Sequence, residues 1–490
     1  MTDDYEVAIL GAGIGGLGMA ARLRQQGETS FVVLEKAGAV GGTWRENTYP
    51  GAACDVQSHL YWYSFDDQQP DWTRLYAQQP EIQGHVEAFV ERHGLAPHIR
   101  FHSEVSRAEW DESAGRWTIE MTSGERIRAA VFVGAWGQLN RPAFGTVPGR
   151  EHFRGEIMHT ALWRHDVDLT GKRVAVIGNG ASAVQVVPEI AGQVGSLTVF
   201  QRSPNYHVPR MDRPYEAEER EHFRDRVARM ESRRGFYEEH ESWIGAMKLD
   251  SNPVLDEFYR IAREMLDTQV PDPELREKLW PDYPLGCKRL MVADTYYPAL
   301  MRDNVSLVTD RIERVEEAGI RTSDGTLHEF DVLVFATGFE TLSFLGSLEI
   351  LGRGGRSLRE EWQDGARAYR GMTVSGFPNL FLLYGPNTNL GHNSIILMLE
   401  AQYDYVLQAL RILDERGAIA LDVREEALER YNQQLQDELS RTSFAGGCTS
   451  WYKTADGHIT NNWSGSVEEY KAAVRDLVLD DYEVLEGAPA

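Results

Sequence analysis

Two glycine-rich turns carry the first chemical signal in this chain. Gly11, Gly13 and Gly16 stand in a GxGxxG spacing directly behind the apolar run VAIL at 7–10. Glycine at the first position permits a tight turn, at the second it lets backbone approach a pyrophosphate, and at the third it lets the next helix pack on the strand. The helix N-terminus then offers free N–H groups and the positive end of its dipole to phosphate. Glu35 closes the next apolar run, FVVL, where a carboxylate accepts from a ribose 2′-hydroxyl and repels a 2′-phosphate. The second turn, GNGASA, places Gly178, Gly180 and Ala183 in the GxGxxA variant, with Ala181 and Ser182 between them. After its next apolar run stand Arg202 and Ser203 rather than an acid, and the planar fork of an arginine suits a 2′-phosphate. The first turn therefore predicts a site for a dinucleotide with a free ribose, as in FAD, and the second a site for NADPH.

A chain that holds both dinucleotides implies a flavin reduced by a nicotinamide, with the protein aiming one ring at the other. Some such enzymes pass the electrons to a cysteine pair. Here Cys54, Cys287 and Cys448 are odd in number, far apart and without a CxxC. That spacing predicts neither a disulfide nor a zinc site, favours a reducing cytoplasm, and leaves oxygen as the leading acceptor. The net charge of −25 argues against binding to nucleic acid or to anionic membranes. No apolar run reaches the ~18 residues needed to span a bilayer, and the first turn starts too early to leave room for a secretory leader.

These groups need strands and helices to hold them. The order strand, turn, helix, strand is expected twice: 7–10, the first turn, 17–26 and 31–34; then 173–177, the second turn, a helix to about 191, and 197–200. Strands are also expected at 117–120 and 130–133. From about 211 to 280 charge is dense, as in EAEEREHFRDRVARMESRR, and apolar positions recur at helical spacing, which predicts a helical insertion with a solvated charged face. The run DVLVF at 331–335 leads into ATGF like a strand entering a cofactor site. The expected fold class is α/β, with two Rossmann-like dinucleotide-binding domains. The FAD domain is drawn in two parts, 1–148 and 331–490, around an NADP domain at 149–330 that carries the insert.

Between the two units, FRGEIMHTALWRHD at 153–166 places Phe153, Gly155, His159 and Trp163 in an FxGxxxHxxxW pattern. The stretch GGTWRENTYPGAACD supplies Gly41, Gly42, Trp44, Tyr49, Pro50, Gly51 and Asp55, and YPLGCKRLMVADTYYPAL supplies Lys288 and Arg289. With FQRSPN, ATGF and LYGPNTNLGHNS in order, nearly the whole chain resembles the type I Baeyer–Villiger monooxygenases, the FAD- and NADPH-dependent class B flavoprotein monooxygenases. The resemblance implies that NADPH reduces FAD, that oxygen adds at flavin C4a, and that the resulting peroxide attacks a ketone to give an ester or lactone. A sister branch oxidises nitrogen or sulfur, and an uncoupled NADPH oxidase or flavin reductase is a further alternative.

The same resemblance assigns roles. Arg289 is the expected permanent cation beside the reacting oxygen, since a guanidinium stays protonated, and Asp55 is its partner. Thr43, Trp44, Tyr61, Val105 and Asn387, with Asn389, are expected near the flavin, and Lys288 near NADP. Phe153, Gly155, His159 and Trp163 are expected to act as hinge and linker: Gly155 turning the backbone, Phe153 and Trp163 anchoring it on neighbouring domains, His159 bonding across the domain boundary. Trp451 is a candidate for the substrate entrance. The substrates expected are a small-molecule ketone and O2.

Overall fold

The apolar runs flanking each glycine turn become parallel strands with both faces covered, which is why they read as continuous rather than alternating. In the computed structural model, which describes residues 3–68 and 70–486, Asp3–Leu10 lies between Phe31–Leu34 and Arg126–Gly134, parallel to both. Val7, Ala8 and Ile9 have no exposed surface. The sheet continues outward through Ile99–Arg100 on one side. On the other, Arg116–Met121 and Val105–Asp111 add antiparallel strands, and Glu349–Leu351 pairs parallel with the latter. Leu380–Leu382 pairs with Arg126–Gly134, tying the C-terminal part of the chain to this first fold.

The second sheet is parallel throughout, in the order Val305–Val308, Ser196–Phe200, Arg173–Ile177, Val332–Phe335, Glu156–His159. Its fourth strand corrects the boundary drawn at 331. Val332–Phe335 is buried along its length and pairs with both Arg173–Ile177 and Glu156–His159, so the second fold runs through Phe335. An apolar run of this kind marks a central strand but does not say which sheet it joins.

The insertion is helical, with Ala217–His222, Arg226–Ser242, Pro253–Gln269 and Pro273–Leu279. Asp225, Asn252 and Asp272 accept backbone N–H groups at the starts of the last three, the usual work of short polar side chains at an N-cap. The charged run is not wholly solvated. Arg233 is 4% exposed and donates through Nη1 to the carbonyls of His59, Leu60 and Trp62. The insertion thus packs on the first fold: Met247, Leu255, Phe258 and Ala262 share a core with Leu17, Trp62 and Tyr403.

Candidate active site

Both glycine turns open into one cavity of about 1620 Å³ between the two folds. Gly11 and Gly178 have the same φ, +108°, and a Cβ on either would strike the carbonyl oxygen ending a neighbouring strand, Ala135 at 2.6 Å or Ala336 at 2.5 Å. Gly13 faces the backbone of Gly42, and around Gly180 the space is open. A Cβ on Gly16 would lie 1.9 Å from the Gly11 oxygen, so Gly16 serves helix–strand contact and lies outside the lining, as does Ala183, fully buried in the second core. Neither Ile14–Gln25 nor Ala181–Ile190 has a side-chain cap. Their first-turn N–H groups, beside Ala181 and Ser182 in the second case, are left to a ligand.

On the first fold, Glu35 sits at the end of its strand with Oε2 accepting from Ala12 N and Oε1 from Ala37 N, both at 2.9 Å. It lines the cavity with Thr43, Trp44, Tyr61 and Val105. Trp44 and Tyr61 form an edge-on pair, Trp44 Nε1 donating to the Tyr61 hydroxyl. Asn387 does not reach the cavity. Its amide donates to the carbonyls of Ile459 and Asn462 and its backbone is left-handed, φ +56°, so turn geometry consumes it. Asn389 does line the cavity and accepts from the hydroxyl of Tyr384 at 2.7 Å.

Arg289 and Asp55 meet across the seam. Arg289 Nε and Nη2 both donate to Asp55 Oδ2, at 3.0 and 2.5 Å, so Nη1 takes no part in the pair. About a third of the Arg289 side chain and a quarter of Asp55 remain accessible, and both line the cavity. The Asp55 charge raises Arg289 above the ordinary guanidinium range. Burial pushes Asp55 upward, but the charge and hydrogen bond of Arg289, helped by Arg210, bring it below the usual carboxylate range. The result is a fixed cation held in orientation by a fixed anion.

On the second fold, Arg202 is exposed at the cavity wall, next to Ser203, whose hydroxyl accepts from Lys288 Nζ. Burial and the nearby Arg202 charge both lower Lys288, as two cations sharing a site for one anion must.

The stretch 153–163 lies beneath the chain crossings, not in the cavity. The chain leaves the first fold after Gly134 and returns after Phe335, and the two crossings pair: Ala143 N donates to Gly338 O, and Pro142 bridges Phe339. His159, fully buried, packs against Phe144 on one crossing and Phe339 on the other. Its Nδ1 accepts from Ala161 N at 3.0 Å, and burial lowers its pKa to about 4. The ring is therefore neutral with its proton on Nε2, which faces the backbone of Ala143 and Gly338 without a well-formed hydrogen bond. Gly155 makes no left-handed turn. A Cβ there would meet Asp331 O at 2.3 Å and the Phe153 ring, so its role is close approach. Phe153 and Trp163 pack against the cores on opposite faces of the second sheet, and the core beside Trp163 also takes in Tyr49 and Ala52 of the first fold.

Three features escaped the sequence. Cys287 and Cys448 are joined by a disulfide, with Cα atoms 6.2 Å apart; spacing rules detect local cysteine frameworks, not pairs brought together by folding. Arg210 donates to the Cys54 carbonyl behind Asp55 and lies over the Tyr76 ring, with no local motif to mark it. Tyr49 lies in the core of the second fold and donates to Gln185 Oε1, while Gln185 Nε2 donates to Ala53 O; the signal was the TYPGAACD stretch, whose partner the sequence could not name.

A family model of NAD(P)-binding Rossmann-like domains matches residues 9–78. A Baeyer-Villiger monooxygenase of Streptomyces coelicolor is 44% identical over 100% of this chain and 94% of its own length. One from Pseudomonas aeruginosa is 41% identical over 98% and 91%. The crystal structure of cyclohexanone monooxygenase from Rhodococcus sp. Phi1 bound to NADP+ superposes with a TM-score of 0.88 at 31% identity, covering 99% of this chain and all of that one. With two nucleotide folds, a shared cavity and an arginine–carboxylate pair at the seam, and with full-length identity at this level, the chain belongs to the Baeyer–Villiger monooxygenase family.

Proposed function

We propose that the protein binds FAD on its first fold and NADPH on its second, and inserts one atom of O2 beside the carbonyl of a small-molecule ketone to give an ester or lactone. The observation that carries this reading is the Arg289–Asp55 pair, both residues of which line a cavity that both glycine turns also line. The residues fit both cofactors. Uncapped helix starts behind open glycine turns suit pyrophosphates. Glu35 suits a free ribose, and Arg202 with Lys288 suits a 2′-phosphate. When bound, the flavin would supply the transfer of two electrons from NADPH to O2.

The protein's own groups do the rest. Arg289 holds negative charge as it develops on oxygen, first on the attacking atom and then on the former carbonyl, at a site shielded from bulk water. Asp55 fixes the plane of the guanidinium and occupies Nε and one N–H of Nη2, leaving both Nη1 N–H groups and the second Nη2 N–H as donors. Trp44 and Tyr61 wall the flavin side. His159 is a positioning residue: as a neutral ring beneath both crossings it supports movement of one fold on the other. We place the enzyme in the cytoplasm, where NADPH is supplied.

The test is to reconstitute the protein with FAD, add NADPH and O2, and offer linear, cyclic and aryl ketones beside a thioether, with mass analysis under labelled O2. The expected product carries one labelled oxygen inserted next to a ketone carbonyl. Peroxide release matching NADPH use with every ketone, or oxidation of the thioether alone, would overturn the reading.

A further inference from the structure

The disulfide stands at the edge of the cavity. Cys287 directly precedes Lys288 and Arg289, and Cys448 directly precedes Thr449, Ser450 and Trp451, all five of which line the cavity. The crosslink therefore ties the loop that carries the reactive guanidinium to a loop on the cavity wall. The surroundings are shaped for it. Gly286 is left-handed, φ +86°, with Ser443 Oγ where a Cβ would be, and a Cβ on Gly446 would lie 3.0 Å from Cys287 Sγ.

Little else fastens the second loop between its ends. At one end Gly446 N donates to Ser443 O, and Lys453 Nζ donates to Gly446 O. At the other, Asn461 Nδ2 donates to Trp451 O at 2.6 Å. Among the described residues, the hydrogen bonds of 447–450 run to Cys287 Sγ, from Cys448 N, and locally to Tyr452 N. Gly447 and Thr449 are exposed. Cys287 is fully buried while Cys448 is partly exposed, which makes Cys448 the more accessible end of the crosslink.

We propose that Cys287–Cys448 is a reversible redox modification site that sets how tightly the 446–451 loop seals the cavity beside Arg289. The redox step stands apart from the monooxygenase reading; only its effect on peroxide leakage rests on that reading. A dithiol reductant attacks Cys448 Sγ with one thiolate. The S–S bond breaks, and its electron pair leaves on Cys287 Sγ, which takes a proton. The second thiol of the reductant then displaces Cys448 from the mixed disulfide. The net change is one protein disulfide and one dithiol becoming two protein thiols and an oxidised reductant. Hydrogen peroxide reverses it: two thiols and one peroxide give the disulfide and two waters. A cavity that leaks peroxide thus re-forms its own seal. In a reducing compartment, disulfides that do occur are mostly of this exchanging kind.

The experiment uses the FAD-loaded enzyme, treated with dithiothreitol and desalted, against an untreated sample. Thiols are titrated after denaturation, cleavage within 446–451 is followed by limited proteolysis, and peroxide per NADPH is measured with a turned-over ketone. The oxidised chain should give one thiol, from Cys54, and the reduced chain all three. Reduction should speed cleavage and raise peroxide per NADPH by about twofold or more, since an unsealed site admits water. Added peroxide should restore both. Cys448→Ser should behave as the reduced form and ignore dithiothreitol. Three thiols before reduction and after peroxide would overturn the proposal. So would a count moving from one to three with neither cleavage nor leakage changed. If no ketone is oxygenated, thiol count and proteolysis still decide the crosslink, and the failure belongs to the monooxygenase reading alone.

Discussion

Replacing Arg289 with alanine separates reduction from oxygenation. The guanidinium spends Nε–H and one Nη2–H on one oxygen of Asp55, so what it offers the reaction is its remaining N–H groups and a positive charge tempered by its partner. Counted conservatively, that is at least one charge-assisted donor at a preorganised site. The loss of one such donor costs about 2.7–4 kcal/mol, or roughly a hundred- to a thousandfold in the step it serves. Flavin reduction by NADPH needs no oxyanion, so it should persist within a few-fold while product formation falls by that factor and NADPH consumption is diverted to peroxide.

The same substitution strands Asp55. Removing one partner of a fully buried pair costs about 3–5 kcal/mol, but Asp55 keeps a quarter of its side chain accessible and Arg210 nearby, so the loss of stability should fall below that range. Arg289→Ala combined with Asp55→Asn removes the stranded charge and should recover stability without recovering product. The assay is anaerobic bleaching of the flavin by NADPH, followed by product and peroxide counts in air. Product per NADPH at the wild-type ratio in Arg289→Ala would refute the argument, and so would recovery of product in the double variant, which would trace the defect to the stranded carboxylate.

Arg202→Ala should raise KM for NADPH by tenfold or more while leaving NADH little changed, as expected for a charge-assisted contact of about 1.5–3 kcal/mol; an unchanged preference between the two would remove Arg202 from the phosphate site. His159→Ala empties a fully buried position between Phe144 and Phe339 and should both lower Tm and raise peroxide per NADPH; a lower Tm with unchanged coupling would leave only a packing role. For Asp55 the folded pKa lies below its free value of 3.8. The folded state therefore releases this proton more readily, and the stability gained is fully present above about pH 4 and lost as pH falls through the folded value. Acid unfolding of Asp55→Asn should lack that component, and the wild-type activity profile should show no limb from Asp55 between pH 5 and 9; coincident acid-unfolding curves for the two proteins would contradict the shift.

What could be read from the sequence follows from how local each signal is. The glycine turns were legible because a positive φ at Gly11, and a helix packed so close that a Cβ on Gly16 would lie 1.9 Å from a carbonyl oxygen, admit glycine alone. The insertion was legible from its helical spacing, but not where it docks: nothing in VARMESRR distinguishes Arg233, buried under three carbonyls, from exposed Arg234 beside it. Val332–Phe335 was legible as a buried strand and was placed in the wrong fold, because pairing partners are non-local. Asn387 and Asn389 were both expected near the flavin from their shared motif, but of the two only Asn389 lines the cavity. The disulfide was missed for the reason the strand was misplaced: 161 residues separate its ends, and only tertiary structure brings them together.

The site makes most sense as a property of the seam. Asp55 comes from the first fold, Arg289 from the loop after the insertion, and neither is positioned by its own fold alone. The contacts that cross near them converge on one segment, 49–55. Tyr49 inserts into the second core and bonds Gln185, Gln185 holds Ala53 O, Arg210 holds Cys54 O, and Arg289 holds Asp55. Gly51 admits this approach, since a Cβ there would sit 2.7 Å from Gln185 O. A shift of one fold on the other, of the kind proposed for the paired crossings above His159, would therefore pull on the same few residues that aim the guanidinium. Under the role proposed for Arg289, the orientation of the cation therefore depends on how the two folds engage at this segment.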